Sequence, residues 1–260
     1  MDYILRNKKA LVTGSTSGIG FAIATLLAQE GATVIINGRT NASVEKAIKQ
    51  IKDENPSAAV TGFAADFTDK KSVDLLLAGI GDVDILVNNV GIFTSQSFEK
   101  TQDQDWYNLF EVNVMSGVRL ARQLMPAMLK SRWGRIIFIS SECAQLVPED
   151  LIAYSMTKAA MITVARGLAN TTKGTQVTVN TVMPGSTLSE GAERFLADQA
   201  LKENRTKEEV SNNFFKNVRT TSLLGRFAQP KEVANAVVYL ASPLSSATNG
   251  SVFKVEGGST

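Results

Sequence analysis

The chain has 260 residues, 44% apolar and 20% charged, a globular balance in a length that one α/β unit can fill. Its 27 basic and 25 acidic residues are interspersed and leave a net charge of +2, so nothing electrostatic argues for nucleic acid or an anionic membrane as partner. There is no histidine and one cysteine, Cys143, which excludes a Ser-His-Asp triad, a structural zinc site and an internal disulfide. No paired aspartate cluster suggests magnesium. The first residues, MDYILRNKK, lack an apolar signal core, and no run approaches the roughly 20 apolar residues that span a bilayer. A cytoplasmic setting is therefore expected.

In chain order, short β-branched runs alternate with helical stretches. Residues 8–14 read as a buried strand ending in glycine, and Ile19 to Glu30 as a helix closed by Gly31. A second strand is expected at 32–38. Asn41 is expected to cap the next helix, whose apolar positions are Val44, Ala47, Ile48 and Ile51. A third strand covers 58–66, a short helix Lys70 to Ala78, and a fourth strand 83–91. Asp103 to Lys130 reads as one long helix. A fifth strand at 134–141 precedes a helix from about Leu151 to Thr172. A sixth strand covers 176–185. Residues 186–229 are polar and helical in composition, Pro230 opens a helix to about Ala241, and 251–258 is a last strand.

Repeated β–α alternation with continuous apolar strands implies an α/β, doubly wound parallel sheet of Rossmann type, with about seven strands and helices on both faces. No second domain or repeat is visible, so 1–260 is expected to form one unit. The polar stretch then lies above the carboxyl edge of the sheet, where such folds bind ligands.

The first strand runs into TGSTSGIG at 13–20. Gly14, Gly18 and Gly20 permit a tight turn and a close backbone approach to a pyrophosphate. The following helix offers free N–H groups there, and Ser15, Thr16 and Ser17 add hydroxyl donors. The second strand ends Asn37-Gly38-Arg39, with no acid to meet a ribose 2′-hydroxyl. Arg39 stands where a 2′-phosphate could be gripped by two parallel hydrogen bonds, which favours NADP(H) over NAD(H). The absence of histidine also focuses attention on YSMTK at 154–158. Tyr154 and Lys158 share one face of a helix, and an ammonium beside a phenol favours the phenolate.

These features together resemble the short-chain dehydrogenase/reductase family over nearly the whole chain. TGSTSGIG resembles the family's TGxxxGxG turn, and YSMTK its YxxxK pair. NNVG at 88–91 resembles NNAG, with Val90 for the usual alanine. Ser141 lies thirteen residues before Tyr154, Asn113 sits in the long helix, and Pro184-Gly185 follows the sixth strand. Ser189 stands where a threonine is common, with Thr187 as the alternative. TNGSVFKVEGG at 248–258 resembles TGxxxxVDGG, with Asn249 inserted and Glu256 for the aspartate.

The resemblance implies hydride transfer between NADP(H) and a carbonyl or secondary alcohol. It makes Tyr154 the general acid and base, Lys158 its electrostatic helper and a ribose contact, Ser141 the group orienting the substrate oxygen, and Asn113 the holder of a relay water. It puts the cofactor against Gly14, Ser15, Thr16, Ser17, Gly18, Ile19 and Gly20. Further contacts are implied at Asp66 and Phe67 near adenine, at Asn88 and Gly91 through their backbone, and at Pro184, Gly185 and Thr187. A basic residue often stands at the place of Ser17 in NADP-preferring members. An NAD-linked dehydrogenase and a non-catalytic dinucleotide-binding sensor are the alternatives. The substrate is expected to meet Glu142, Ala144, Gln145, Leu146 and Val147, residues Ile92 to Ser95, and a lid at about 186–218 that carries Phe195, Leu196, Phe214 and Phe215. Trp106, Phe110 and Val114 are expected to pack, and the resemblance implies a second subunit as partner, since members form homodimers and homotetramers. No role is assigned to Cys143.

Overall fold

The computed structural model describes residues 2–260. Its first half runs β1 (Lys9–Val12), α1 (Gly18–Gln29), β2 (Thr33–Gly38), α2 (Asn41–Glu54), β3 (Val60–Ala64), α3 (Lys70–Ile80) and β4 (Ile85–Asn88). Then follow α4 (Asp103–Phe110), a π-helical turn (Glu111–Met115), α5 (Ser116–Ser131), β5 (Trp133–Ile139), the one-turn α6 (Cys143–Leu146) and α7 (Ile152–Asn170). The last part is β6 (Gln176–Pro184), α8 (Glu190–Glu203), α9 (Lys207–Asn217), α10 (Pro230–Ala241) and β7 (Val252–Val255).

Among the described residues the strands form one seven-stranded sheet in the order β3-β2-β1-β4-β5-β6-β7. Every neighbouring pair is parallel. Ala10 is paired with Val34 on one side and with Ile85 on the other. The chain therefore winds outward from β1 to β3 and returns to start a second half at β4. The loops after β1 and β4 leave in opposite directions, which opens a crevice at the carboxyl edge between them.

Alternation along β1 shows how both faces are covered. Ala10 and Val12 point to one side, with Val34, Ile36 and Val87, and pack on Ile23 and Leu27 of α1, Ile51 of α2 and Val237 of α10. Leu11 points to the other side, with Ile35, Leu86 and Phe138, against Leu76 of α3, Leu120 and Leu124 of α5 and Met161 of α7. Strands buried on both faces need continuous apolar runs, and the sequence supplies them. Each fully buried Leu, Ile or Val contributes about 1.5–3 kcal/mol relative to exposure.

The doubly wound parallel sheet matches the expectation from sequence, with strands shorter at their ends. Three local differences have physical causes. The cap of α2 is Thr40, whose extended backbone lets its hydroxyl accept from the Ser43 N–H at 3.3 Å; Asn41 is the first helical residue. The expected long helix is broken by the π-helical turn at Glu111–Met115. This inserts one residue into the ladder and turns Asn113 toward the loop after β4. The segment after Ser141 forms α6, too short for its periodicity to be seen. Among the described residues no helix is long and apolar enough to cross a membrane.

Candidate active site

The glycine turn after β1 is held by polar groups from three strands. Thr13 donates its hydroxyl to the Val87 carbonyl and accepts from the N–H groups of Asn89 and Val90. Asn89 Nδ2 donates back to the carbonyls of Thr13 and Gly14, at 2.9 and 3.0 Å. Asn37 Oδ1 accepts from the Gly14 N–H at 3.0 Å. Gly18 has φ +57°, the left-handed region that glycine enters without penalty. A Cβ on Gly20 would sit 2.4 Å from the Gly14 carbonyl oxygen, so only glycine fits this approach of helix to turn. Ser17, the cap of α1, makes no side-chain cap bond. The first N–H groups of the helix are thus left for an anion.

A cleft in two connected lobes lies along this edge. One lobe, of about 470 Å³, is bounded by Gly14, Thr16, Ser17, Arg39, Asp66 and Phe67. The other, of about 320 Å³, holds Gly18, Ile19 and Gly20 on one wall and Ser141, Tyr154, Lys158, Pro184 and Gly185 on the opposite one. Ser17, Asn89 and Gly91 border both. Arg39 is exposed at the rim of the first lobe. The Asp66 carboxylate accepts from the backbone and hydroxyl of Thr68 at 2.9 and 2.8 Å. Those two bonds hold its pKa below the usual carboxylate value, with a smaller contribution from Arg39.

Around the second lobe the polar groups are tightly tied. Lys158 is buried on α7 and donates to the Ile139 carbonyl at 2.9 Å. Burial lowers its pKa to about 8. Gly91 leaves room beside it: a Cβ there would lie 3.2 Å from Nζ. Ser140 joins the end of β5 to α7 by donating to the Lys158 carbonyl at 2.8 Å. Tyr154 lies one turn earlier, with Phe93 edge-on at 6.0 Å. Burial pushes its phenol well above the ordinary value; the Ser141 hydroxyl pulls the other way, while Cys143 and Glu142 add to the rise. Burial thus holds the phenol neutral, with a proton to donate. A neutral acid, a hydroxyl beside it and a buried amine one helical turn away suit proton transfer to an oxygen between them.

Several expected residues sit elsewhere. Ser15 is fully buried beneath the turn, donating to the Val12 carbonyl at 2.6 Å, so its hydroxyl does not face the cleft. Asn88 is buried too; strand alternation turns it toward Gly117 of α5, and Asn89 takes the cleft-facing place. Thr187 is buried and donates to the Gly185 carbonyl, whereas Ser189 borders the second lobe and caps α8. The Asn113 side chain accepts from the Ile92 N–H and donates to the Ile92 carbonyl and to Thr157. It fastens the loop after β4 to α7 and lines neither lobe. Ile92 and Phe93 border the second lobe, but Ala144 to Val147 do not. Val114 is core, while Trp106 packs edge-on against Phe98 at 6.4 Å and Phe110 remains exposed. Sequence reasoning missed Thr13, Asn37 and Asn89 as organisers of the turn. Their signal was polar residues at the ends of otherwise apolar strands.

Comparison with known proteins agrees with this geometry. A family model for short chain dehydrogenase matches residues 8–200. The chain is 46% identical to the uncharacterized oxidoreductase YvaG of Bacillus subtilis (strain 168), over 99% of this chain and 98% of that protein. It is 34% identical to the 3-oxoacyl-[acyl-carrier-protein] reductase FabG of Aquifex aeolicus (strain VF5), over 99% of both. Its fold superposes with a TM-score of 0.92 on the L-sorbose reductase of Gluconobacter frateurii, solved with NADPH and L-sorbose, at 30% identity over 99% of this chain and 98% of that one. Sequence, sheet order and cleft all lead to one conclusion: the chain belongs to the short-chain dehydrogenase/reductase family of oxidoreductases.

Proposed function

We propose that this chain catalyses reversible reduction of a carbonyl compound to a secondary alcohol with NADP(H), within one unit spanning 1–260. The observation that carries the reading is the second lobe. It joins an uncapped helix N-terminus behind a glycine turn to Ser141, Tyr154 and Lys158. The cradle fits a dinucleotide, because Gly20 has no space for a side chain and the N–H groups of α1 are free. Gly14, Thr16, Ser17, Gly18, Ile19 and Gly20 would hold its phosphates. Asp66 and Phe67 would flank its adenine, with Gly91, Pro184, Gly185 and Lys158 toward the nicotinamide end. When bound, the coenzyme supplies or accepts the hydride.

The chain's own residues manage the proton. Tyr154 donates its phenolic proton to the carbonyl oxygen as that oxygen gains charge. Ser141 donates a hydrogen bond to the same oxygen. Lys158, with a pKa near 8, is largely protonated at neutral pH and stabilises the phenolate left behind. Asn113 holds the loop bearing Ile92 against α7, which fixes the wall opposite Tyr154. Arg39 supports NADP(H): it is exposed at the rim of the first lobe, and no carboxylate ends β2. The NADPH-bound sorbose reductase is consistent with this.

Helices α8 and α9 form the substrate lid in this reading. Phe214 and Phe215 join Phe195 and Phe227 in an aromatic cluster beneath it. The exposed Tyr107 and Phe110 on α4 fit contact with a second copy in a homodimer or homotetramer. The test is loss of reduced-nicotinamide absorbance with NADPH and, separately, NADH, against ketones, aldehydes and diketones. Turnover that requires Tyr154 and prefers NADPH is expected. Turnover that survives Tyr154→Phe would overturn the proton assignment, and equal use of NADH would overturn the coenzyme assignment.

A further inference from the structure

Glu142 directly follows Ser141, yet it is 3% exposed and its carboxylate is wholly inside the protein. Its Oε1 accepts from the Ser186 hydroxyl at 3.0 Å and from Arg219 Nε at 3.2 Å. Its backbone N–H donates to the Pro184 carbonyl at 2.8 Å. Its Oε2 has no hydrogen-bond partner among the described residues and occupies the space that Gly185 leaves; a Cβ on Gly185 would come within 2.9 Å of it.

Arg219 belongs to the lid's exit. Its N–H donates to the Phe214 carbonyl at the end of α9, and its guanidinium stands 5.5 Å from the Phe214 ring centre. Thus one buried carboxylate touches three things: the segment carrying Ser141, the Pro184–Ser186 turn, and the end of the lid with its aromatic cluster. A buried ion pair is a poor device for stability, since desolvation offsets the attraction. It is a good device for fixing distance, because the Glu142 carboxylate is sealed from water and the Arg219 side chain is only 14% exposed, so water competes little for the contact.

We propose that Glu142 is a positioning residue that, through Arg219, latches the lid in register with Ser141 and the Pro184–Gly185 turn. The inference rests on the reading of Ser141 and Tyr154 as the reacting pair and of α8–α9 as the lid. When the latch holds, the lid closes over the substrate at a set distance from both. When it is broken, the lid stays attached through its aromatic residues but loses that register.

The test uses the full chain, with and without NADPH, as wild type, Arg219→Met, Arg219→Lys and Glu142→Gln. Amide hydrogen exchange is read segment by segment. In Arg219→Met, exchange across 190–226 should rise about tenfold while the strands β1, β4 and β5 are unchanged. With a substrate from the carbonyl panel, kcat should fall about 100-fold with a smaller change in KM, because misplacement by about an ångström costs that much. Arg219→Lys should recover part of the loss. General destabilisation would instead raise exchange throughout the sheet, and a conservative replacement would not restore kcat.

Unchanged exchange in 190–226, or kcat within about threefold of wild type in Arg219→Met, overturns the proposal. If the wild type turns over no carbonyl, the exchange data still decide. Faster lid exchange then upholds the latch independently of the carbonyl-reduction reading; unchanged exchange overturns the latch itself. Should Arg219→Met not fold, Glu142→Gln carries the same comparison, since it keeps the Ser186 partner and removes only the charge.

Discussion

The two walls of the cleft are built differently. The wall around β1, α1 and β4 is backbone: glycines at Gly14, Gly18 and Gly20, pinned by the side chains of Thr13, Asn37 and Asn89. The wall made by α8 and α9 borders the cleft through Ser189–Gly191 and Arg194, and is held behind them by side chains: an aromatic cluster and one part-buried ion pair across 77 positions of sequence. A backbone wall held from three strands has one arrangement and suits a ligand used in every cycle. A wall of separable side-chain contacts can part and re-form, which suits a cover that must admit a substrate.

The sharpest way to probe the junction of the two walls is Tyr154→Phe. It removes the proton donor of the proposed mechanism and leaves the glycine wall untouched. Turnover should fall by about 10³-fold, within the range for general acid catalysis. A fluorescence titration should find coenzyme affinity nearly unchanged. A comparable loss of affinity would mean that Tyr154 belongs to the binding wall.

Lys158 stands at the same junction and gives a pH signature. Burial brings its pKa to about 8, against 10.5 for the free side chain. Between those values the unfolded chain binds more protons than the folded one, so stability rises with pH across that window. The cost of burying the charge, about 3 kcal/mol, is fully present below pH 8 and gone above pH 10.5. Urea unfolding of wild type and Lys158→Met should therefore show the variant's relative advantage shrinking as pH rises through this window. A difference that is flat with pH would mean that Lys158 is not buried as a charge.

Gly20→Ala strikes the backbone wall alone. Its Cβ would lie 2.4 Å from a carbonyl oxygen and from Asn89 Nδ2, so the turn must move. Coenzyme affinity should weaken by about 100-fold, with about 1–3 kcal/mol lost in stability from overpacking. Exchange in α8 and α9 should not change. If it does, the two walls are coupled and the contrast between them fails.

The same contrast explains what the sequence made legible. Gly14, Gly18 and Gly20 lie within one turn, and Tyr154 and Lys158 are four apart on one helix; local geometry fixes both sets. The sheet was legible because its strands are continuous apolar runs. Three neighbouring hydroxyls, Ser15, Thr16 and Ser17, could not be sorted, because which of them turns inward depends on contact with Asn37, more than 20 residues away. Asn88 and Asn89 are adjacent, and only the register at the end of β4 decides which one faces the cleft. The π-helical turn at Asn113 adds one residue without altering the apolar pattern. Nothing local in SSEC announces that Glu142 will meet Arg219.

Arg39→Asp perturbs the backbone wall at its rim. A charge-assisted contact to a 2′-phosphate contributes about 1.5–3 kcal/mol, so NADPH affinity should drop by about 10- to 100-fold. NADH affinity should change little. Parallel titrations with both coenzymes read this directly, and equal losses would remove Arg39 from the site.

The smallest effect belongs to the loop that separates Ser141 from Tyr154. Val147 has φ +44° and ψ +66°, a left-handed conformation that a β-branched residue rarely adopts. Its side chain is half exposed, so little burial offsets the strain. Glycine would relieve about 1–2 kcal/mol of that strain while losing about 0.5–1 kcal/mol to the greater freedom of the unfolded chain. Val147→Gly should therefore raise stability by about 0–1.5 kcal/mol, readable in urea unfolding. Turnover decides why the strain is kept. If the glycine variant is more stable and equally active, the loop tolerates strain for no catalytic reason. If it is more stable but slower, the strain holds the approach to Tyr154 in place, and the side-chain wall extends from the lid to the loop beneath it.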